Sequence, residues 1–270
     1  MKKAGLYLGI FLFSIACNLW IFNSESSIVA IQILTSSSFG GLSVERGTVM
    51  EFTLKSAPLM FFQILRTIIC YEELVHAGVY VFTRCPDKRK RTAGIIGKTV
   101  LGSILYTLIW QGTGIIMGLA AGMSMPGLAF WRVFFFQIMT LAGWMTFFTV
   151  IGFHVCVFFG SVPGILTGVA PQFLIISSMQ LFASGSVFSI DVNDPGFDSS
   201  HFDILKVHPF SQLVLDWHSS SSPELAGYMN HYPMHFMYLP GMFIFWILVA
   251  TVSMIFIVFV NRMELYSVRS

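Results

Sequence analysis

Charge is what this sequence has least of. Of its 270 residues only 10% are Asp, Glu, Lys or Arg, against about 25% in a soluble domain. Hydrophobic residues make up 55% and the mean hydropathy is +0.76. That leaves too little polar surface to coat a globule, so a soluble enzyme is excluded and lipid becomes the expected solvent. Cysteine is scarce too. Cys17, Cys70, Cys85 and Cys156 lie in or beside apolar stretches, which argues against a disulfide framework or a zinc cluster. The net charge of +2 says nothing about a nucleic-acid partner, because the placement of the charges is what matters, and none is expected.

What is present is a series of long uncharged runs, and a spanning helix needs about 20 such residues. Ala4–Phe22, Thr99–Ala121 and Gly241–Val260 are uncharged, and Val133–Ile190 holds no charged residue across 58 positions. As one helix that last run would be roughly 87 Å long, against a hydrocarbon core of ~30 Å. It must turn back, and Gly160-Ser161-Val162-Pro163-Gly164 is the breaker. A sixth, weaker span uses Ala57–Tyr71 with Thr53–Ser56, or dips into the membrane, and Arg66 near its cytoplasmic end can snorkel or face a partner. The predicted fold is therefore an all-α polytopic membrane domain over residues 1–270. Its six spans lie at about 4–22, 53–71, 99–121, 133–160, 162–190 and 241–260, with a cytoplasmic segment at 71–98 and an outer loop at 191–240.

Charge placement gives the orientation. With both termini inside, the cytoplasmic cations are Lys2, Lys3, Arg84, Lys88, Arg89, Lys90, Arg91, Lys98, Arg262 and Arg269, against Arg46, Lys55, Arg132 and Lys206 outside. Ten against four follows the positive-inside rule. At the N-terminus, Ser14-Ile15-Ala16-Cys17 is similar to a lipobox. Ser14 stands where Leu is preferred, however, and apolar residues continue to Phe22, so the expectation is an uncleaved first span.

Nine of the thirteen carboxylates then fall outside, mainly in Asp191–Glu224, and a mixed charge cluster lies between spans two and three. Tyr71–Phe82 is short and amphipathic and opens with Glu72-Glu73, acids that suit a helix N-terminus. Then come the Thr83-Arg84-Cys85-Pro86 turn, the run Lys88-Arg89-Lys90-Arg91 and Gly97-Lys98. Read from charge alone, this is an interfacial helix followed by a topology-setting basic loop. The order Glu73, Gly78, Thr83-Arg84-Cys85-Pro86, Arg89/Arg91, Gly97-Lys98 resembles the pattern joining the second and third spans of type-2 ABC transporter permeases. Six spans, inner termini and a long outer loop before the last span are similar to that family as well. The weak second span and the enlarged outer segment before it depart from the pattern.

The resemblance implies that Tyr71–Phe82 is a coupling helix docking on a separate cytosolic ABC ATPase subunit through Glu72, Glu73, Gly78, Arg84, Arg89, Arg91 and Lys98. It implies a second permease copy or a related permease as partner, a multi-pass place in a bacterial plasma membrane, and ATP with Mg bound by the ATPase. The expected activity is export of an amphiphilic or peptide-like substrate, such as a bacteriocin or other antimicrobial, for secretion or self-immunity. The chain carries no nucleotide site of its own. A phosphate loop ending at Gly97-Lys98-Thr99 would need Gly where Thr92 stands. No cofactor, metal or enzymatic step is expected of it.

Other constellations are weaker. Glu72-Glu73 is similar to the EExxxR signature of intramembrane CAAX-type proteases, but Ala77 stands where Arg is needed. A serine-type intramembrane protease could draw only on Ser186 and His154, and a non-transporting sensor or assembly partner is a third reading. His231 and His235 have a metal-compatible i,i+4 spacing, which Pro233 spoils on a helix. Gly114, Gly118 and Gly122 form GxxxGxxxG, a pattern that lets helices approach closely. His201–Trp217 reads as an amphipathic element lying on the outer leaflet.

Overall fold

The computed structural model describes residues 49–84, 88–120, 127–184, 208–215, 218–221 and 236–260, together with 9, 12, 13, 15, 16, 122 and 223. The chain is mostly helical. Helix α1 covers Val49–Arg84, α2 Lys88–Ala120, α3 Leu128–Phe159, α4 Ser161–Ser184 and α5 Tyr238–Val260. Four stretches, Arg89–Ala120, Leu128–Phe159, Ser161–Ser178 and Met242–Phe259, are long and apolar enough to cross a membrane. The predicted first span lies almost wholly outside the described residues.

Two boundaries differ from the sequence expectation. Helix α1 runs unbroken through Tyr71–Phe82, which had been expected as a separate element. Between Pro58 and Gly78 there is no Gly or Pro to stop it, and a single Gly costs only about 1 kcal/mol. Helix α2 begins at Lys88, well before Thr99, because the basic run is made of good helix formers and continues the same helix. The hinge is therefore the end of one long helix and the start of another.

The turn inside the uncharged run is a single residue. Gly160 adopts φ +93, a left-handed conformation that favours glycine, and its N–H donates to the Cys156 carbonyl at 3.0 Å. Eight residues to either side, Gly152 and Gly168 face each other, so α3 and α4 form a helical hairpin. A methyl group on Gly152 would lie 2.9 Å from the Gly164 carbonyl oxygen and 3.3 Å from Thr67 Oγ1. On Gly164 it would run into Cys156. Small residues at 152 and 156 on α3, and at 164 and 168 on α4, are what let these backbones meet. In the glycine pattern on α2, Gly114 and Gly118 are buried. Gly122 lies past the helix end, exposed at φ +95, with its N–H on the Leu119 carbonyl. It terminates α2, one turn past the two buried glycines.

The chain divides into two compact units whose boundaries fall within helices. One comprises residues 57–103, 142–173 and 243–270. Its core joins Cys70, Ile95, Ile96, Val150, Phe153 and Phe256, with Val157, Val252 and Ile257 packed against them. Trp144 lies edge-on to Phe148 and Phe245, with ring centroids 4.7 and 5.5 Å apart.

The other unit comprises residues 1–56, 104–141 and 174–242. In it Phe130 stacks on Phe134, and a one-turn 3₁₀ helix, Ser211–Leu213, is tucked inside. Two short parallel strands, β1 His218–Ser219 and β2 Phe236–Met237, pair nearby. Of the element expected on the outer leaflet, residues 208–215 are described, and there Phe210, Leu213, Val214 and Leu215 are packed inside, all at most 2% exposed. Gln137 Nε2 donates to the Leu213 carbonyl at 3.0 Å, so α3 ties this loop down by its backbone. An apolar loop on one protein face is indistinguishable in sequence from one facing lipid.

Polarity is distributed as lipid requires. Leu101, Leu108, Ile116, Phe135, Leu166, Leu174 and Ile247 are exposed, whereas Gln63, Thr67, Ser103, Thr107, Gln111, Thr146, Thr149 and Gln172 are buried. Water would favour the reverse pattern.

Candidate functional site

The charged cluster assembles where the end of α1 meets the start of α2. Adjacent residues on a helix point about 100° apart, so Glu72 and Glu73 separate: Glu72 is exposed, whereas Glu73 turns to α2. Lys98 Nζ donates to Glu73 Oε2 at 3.1 Å. Arg91 Nη2 donates to the Glu73 backbone carbonyl at 2.8 Å. One residue of α1 is thus held by two cations spaced seven residues, or about two turns, along α2. Thr99 Oγ1, which donates to the Ile95 carbonyl, also lies 3.3 Å from Cys70 Sγ. Glu73, Arg91, Gly94, Ile95 and Lys98 line a cavity of about 380 Å³ open at the surface.

The ion pair itself is weak in energy. Lys98 is 61% exposed, and exposed pairs contribute about 0–1 kcal/mol. With the Arg91 bond to the same residue, it sets Glu73 of α1 opposite the start of α2.

Of the residues implied by the family resemblance, Glu73, Arg91 and Lys98 come together. Glu72 and Arg89 are exposed beside them. Gly78 and Arg84 lie further along α1. Water activation by paired carboxylates needs both acids on one centre, whereas here Glu73 is committed to Lys98 and Glu72 faces away. His154 Nδ1 donates to the Val150 carbonyl of its own helix, and its ring lies against Phe256. Ser186, His231 and His235 lie outside the described residues.

Sequence reading missed a second feature, a polar seam inside the same unit. Gln172 of α4 is its hub. The Trp144 indole donates to Gln172 Oε1 at 2.9 Å, and Gln172 Nε2 reaches both Gln63 Oε1 and the Gly168 carbonyl. On α1, Gln63, Arg66, Thr67 and Cys70 fall at i, i+3, i+4 and i+7, one face of a helix. This polar stripe on an apolar helix was the signal available. Arg66 stands out within it. Its Nε and Nη2 are enclosed and meet no hydrogen-bond acceptor among the described residues. Arg66 lies midway along α1, a helix outside the four stretches long and apolar enough to cross a membrane, and an arginine buried among apolar helices is costly and marks a functional candidate.

Compared with known protein families, characterised proteins and solved structures, the chain matches none. Its functional reading rests on its own residues.

Proposed function

We propose that this chain is the membrane-spanning subunit of an ATP-driven exporter of the ABC type. It would have six spans, cytoplasmic termini and a place in a bacterial plasma membrane. The observation that carries the reading is the Glu73 clamp. Arg91 and Lys98 hold the end of α1 to the start of α2, so a push on this end moves two helices together. Glu72 and Arg89, exposed beside the clamp, supply the charged contacts for a cytosolic ATPase, which binds ATP and Mg. A second permease copy or a related permease completes the transporter. Closure of the ATPases is transmitted through α1 and α2 and alternates the access of an amphiphilic or peptide-like cargo, exported for secretion or self-immunity.

Arg89 is the clean probe, because Arg91 is bound within the chain and its loss would disturb the clamp itself. Affinity purification from native membranes with mass spectrometry should recover an ABC ATPase, and Arg89→Glu should reduce its recovery at unchanged thermal stability. Recovery of no ATPase, or undiminished recovery with Arg89→Glu and with the added substitution Arg91→Glu, would sink the proposal.

A further inference from the structure

The enclosed guanidinium of Arg66 calls for an anion that the surrounding helices do not supply. Helices α2 to α5 contain no Asp or Glu at all, and the only carboxylates on α1 are Glu51, Glu72 and Glu73. Glu73 is seven residues away, roughly 10 Å along the helix axis, and bonds Lys98. The arginine is also closely seated. A methyl group on Gly102 of α2 would lie 3.9 Å from Arg66 Nε and 3.8 Å from the Phe62 ring, so the α2 backbone at Gly102 forms a wall of its site. One turn earlier on α1, Gln63 is 1% exposed and its Nε2 is a second enclosed donor that lacks an acceptor of its own. These are orphaned donors on one helix face, beside a backbone position that carries no side chain.

The surroundings indicate what carries the anion. Arg66 as a whole is only half-buried. Phe61 on α1 and Leu101 on α2, the neighbours of Phe62 and Gly102, are exposed apolar side chains. The outward faces of the two helices beside this site are thus apolar, which suits a molecule with an apolar tail over a free inorganic ion. A planar guanidinium fork matches a carboxylate or phosphate with two parallel hydrogen bonds.

The geometry points to an intramembrane binding site for the anionic head of an amphiphile, a phosphate or carboxylate held by Arg66 and Gln63 between α1 and α2. The site stands independently of the transport reading: it requires neither an ATPase nor movement.

The test uses the full chain purified in a neutral detergent, with binding of phosphatidylglycerol, oleate, phosphatidylcholine and inorganic phosphate followed by native mass spectrometry. Phosphatidylglycerol or oleate should bind at least about tenfold more tightly than phosphatidylcholine. Their relative strengths identify phosphate or carboxylate as the preferred head. Arg66→Gln should abolish the preference. Arg66→Lys, which keeps the charge and loses the fork, should weaken it severalfold, and it covers the case in which Arg66→Gln does not fold. Neutralising Lys88, Arg89 and Lys90 to Gln should leave the preference intact. Equal binding of charged and zwitterionic lipid, retention of only inorganic phosphate, persistence of the preference in both Arg66 variants, or its loss in the triple variant would each overturn the site.

Discussion

Two single-methyl additions on the α3–α4 hairpin test its packing against each other. Gly152 and Gly168 both lie within helices, so replacing either with Ala brings the same helix-propensity gain of about 1 kcal/mol. The steric consequences differ. At position 168 the new methyl would lie 3.5 Å from the Phe148 carbonyl oxygen and 3.8 Å from the Gly152 Cα, ordinary contact distances. At position 152 it would lie 2.9 Å from the Gly164 carbonyl oxygen and 3.4 Å from the Gly168 Cα, and that obstacle is backbone that cannot rotate aside. Overpacking of this kind costs about 1–3 kcal/mol. Gly168→Ala, free of a clash, should therefore be stabilising by about 1 kcal/mol, whereas Gly152→Ala should be neutral to destabilising by about 2 kcal/mol. Because propensity cancels between the two variants, their difference isolates the steric term. Reversible unfolding in mixed micelles, followed by tryptophan fluorescence, measures it. Equal stability of the two variants would refute the close approach, since the shared propensity term cannot hide a clash present in only one of them.

Two further outcomes follow from particular hydrogen bonds. Gln172→Leu strands the Trp144 indole N–H at a 2% exposed position and should cost about 1–2 kcal/mol. Adding Trp144→Phe should recover part of that loss in the same unfolding assay, and an unaltered midpoint for Gln172→Leu would show that the seam carries no stability. In the loop, burial lowers the His208 pKa, partly offset by its backbone bond to Ile175, and Ser178 Oγ lies 3.1 Å from its Nε2. A histidine with a depressed folded-state pKa is protonated first in the unfolded chain. Stability is then complete above the unfolded value of about 6.5 and falls as pH drops below it. The thermal midpoint should decline between pH 7 and pH 5, and His208→Gln should flatten that decline; the same slope in both proteins would exclude His208 as its source.

Apolar runs made four of the spans legible because length and hydropathy are local properties. The breaker at Gly160 was legible for the same reason, although five candidate turn residues reduce to one in the structure. Helix continuity was harder to read. The charges at Glu72-Glu73 and Lys88–Arg91 suggested an end to each span, yet charged residues are good helix formers, and the helices run on through them. The Glu73 clamp was legible only as a cluster, since pairing across 25 residues depends on how α1 and α2 pack. Gln63, Arg66, Thr67 and Cys70 form a polar stripe legible at helical spacing, but what each one faces depends on the packing of α2 and α4. The partner of Gln63, Gln172, sits 109 residues away and could come only from the fold. The glycine pattern on α2 was visible in sequence and included a helix terminator, while the glycines that meet closely, at 152, 164 and 168, were passed over.

The hairpin tip has a consequence for how the protein is built. Phe158, Phe159 and Val162 around Gly160 are exposed, and no Asp, Glu, Lys or Arg occurs between Val133 and Ile190. Nothing at this tip seeks water or lipid headgroups, so it cannot act as an anchor during membrane insertion. The pair of helices can enter the bilayer as one greasy wedge, with its direction dictated by cations elsewhere in the chain and its final depth by the fit of Gly152 against Gly164.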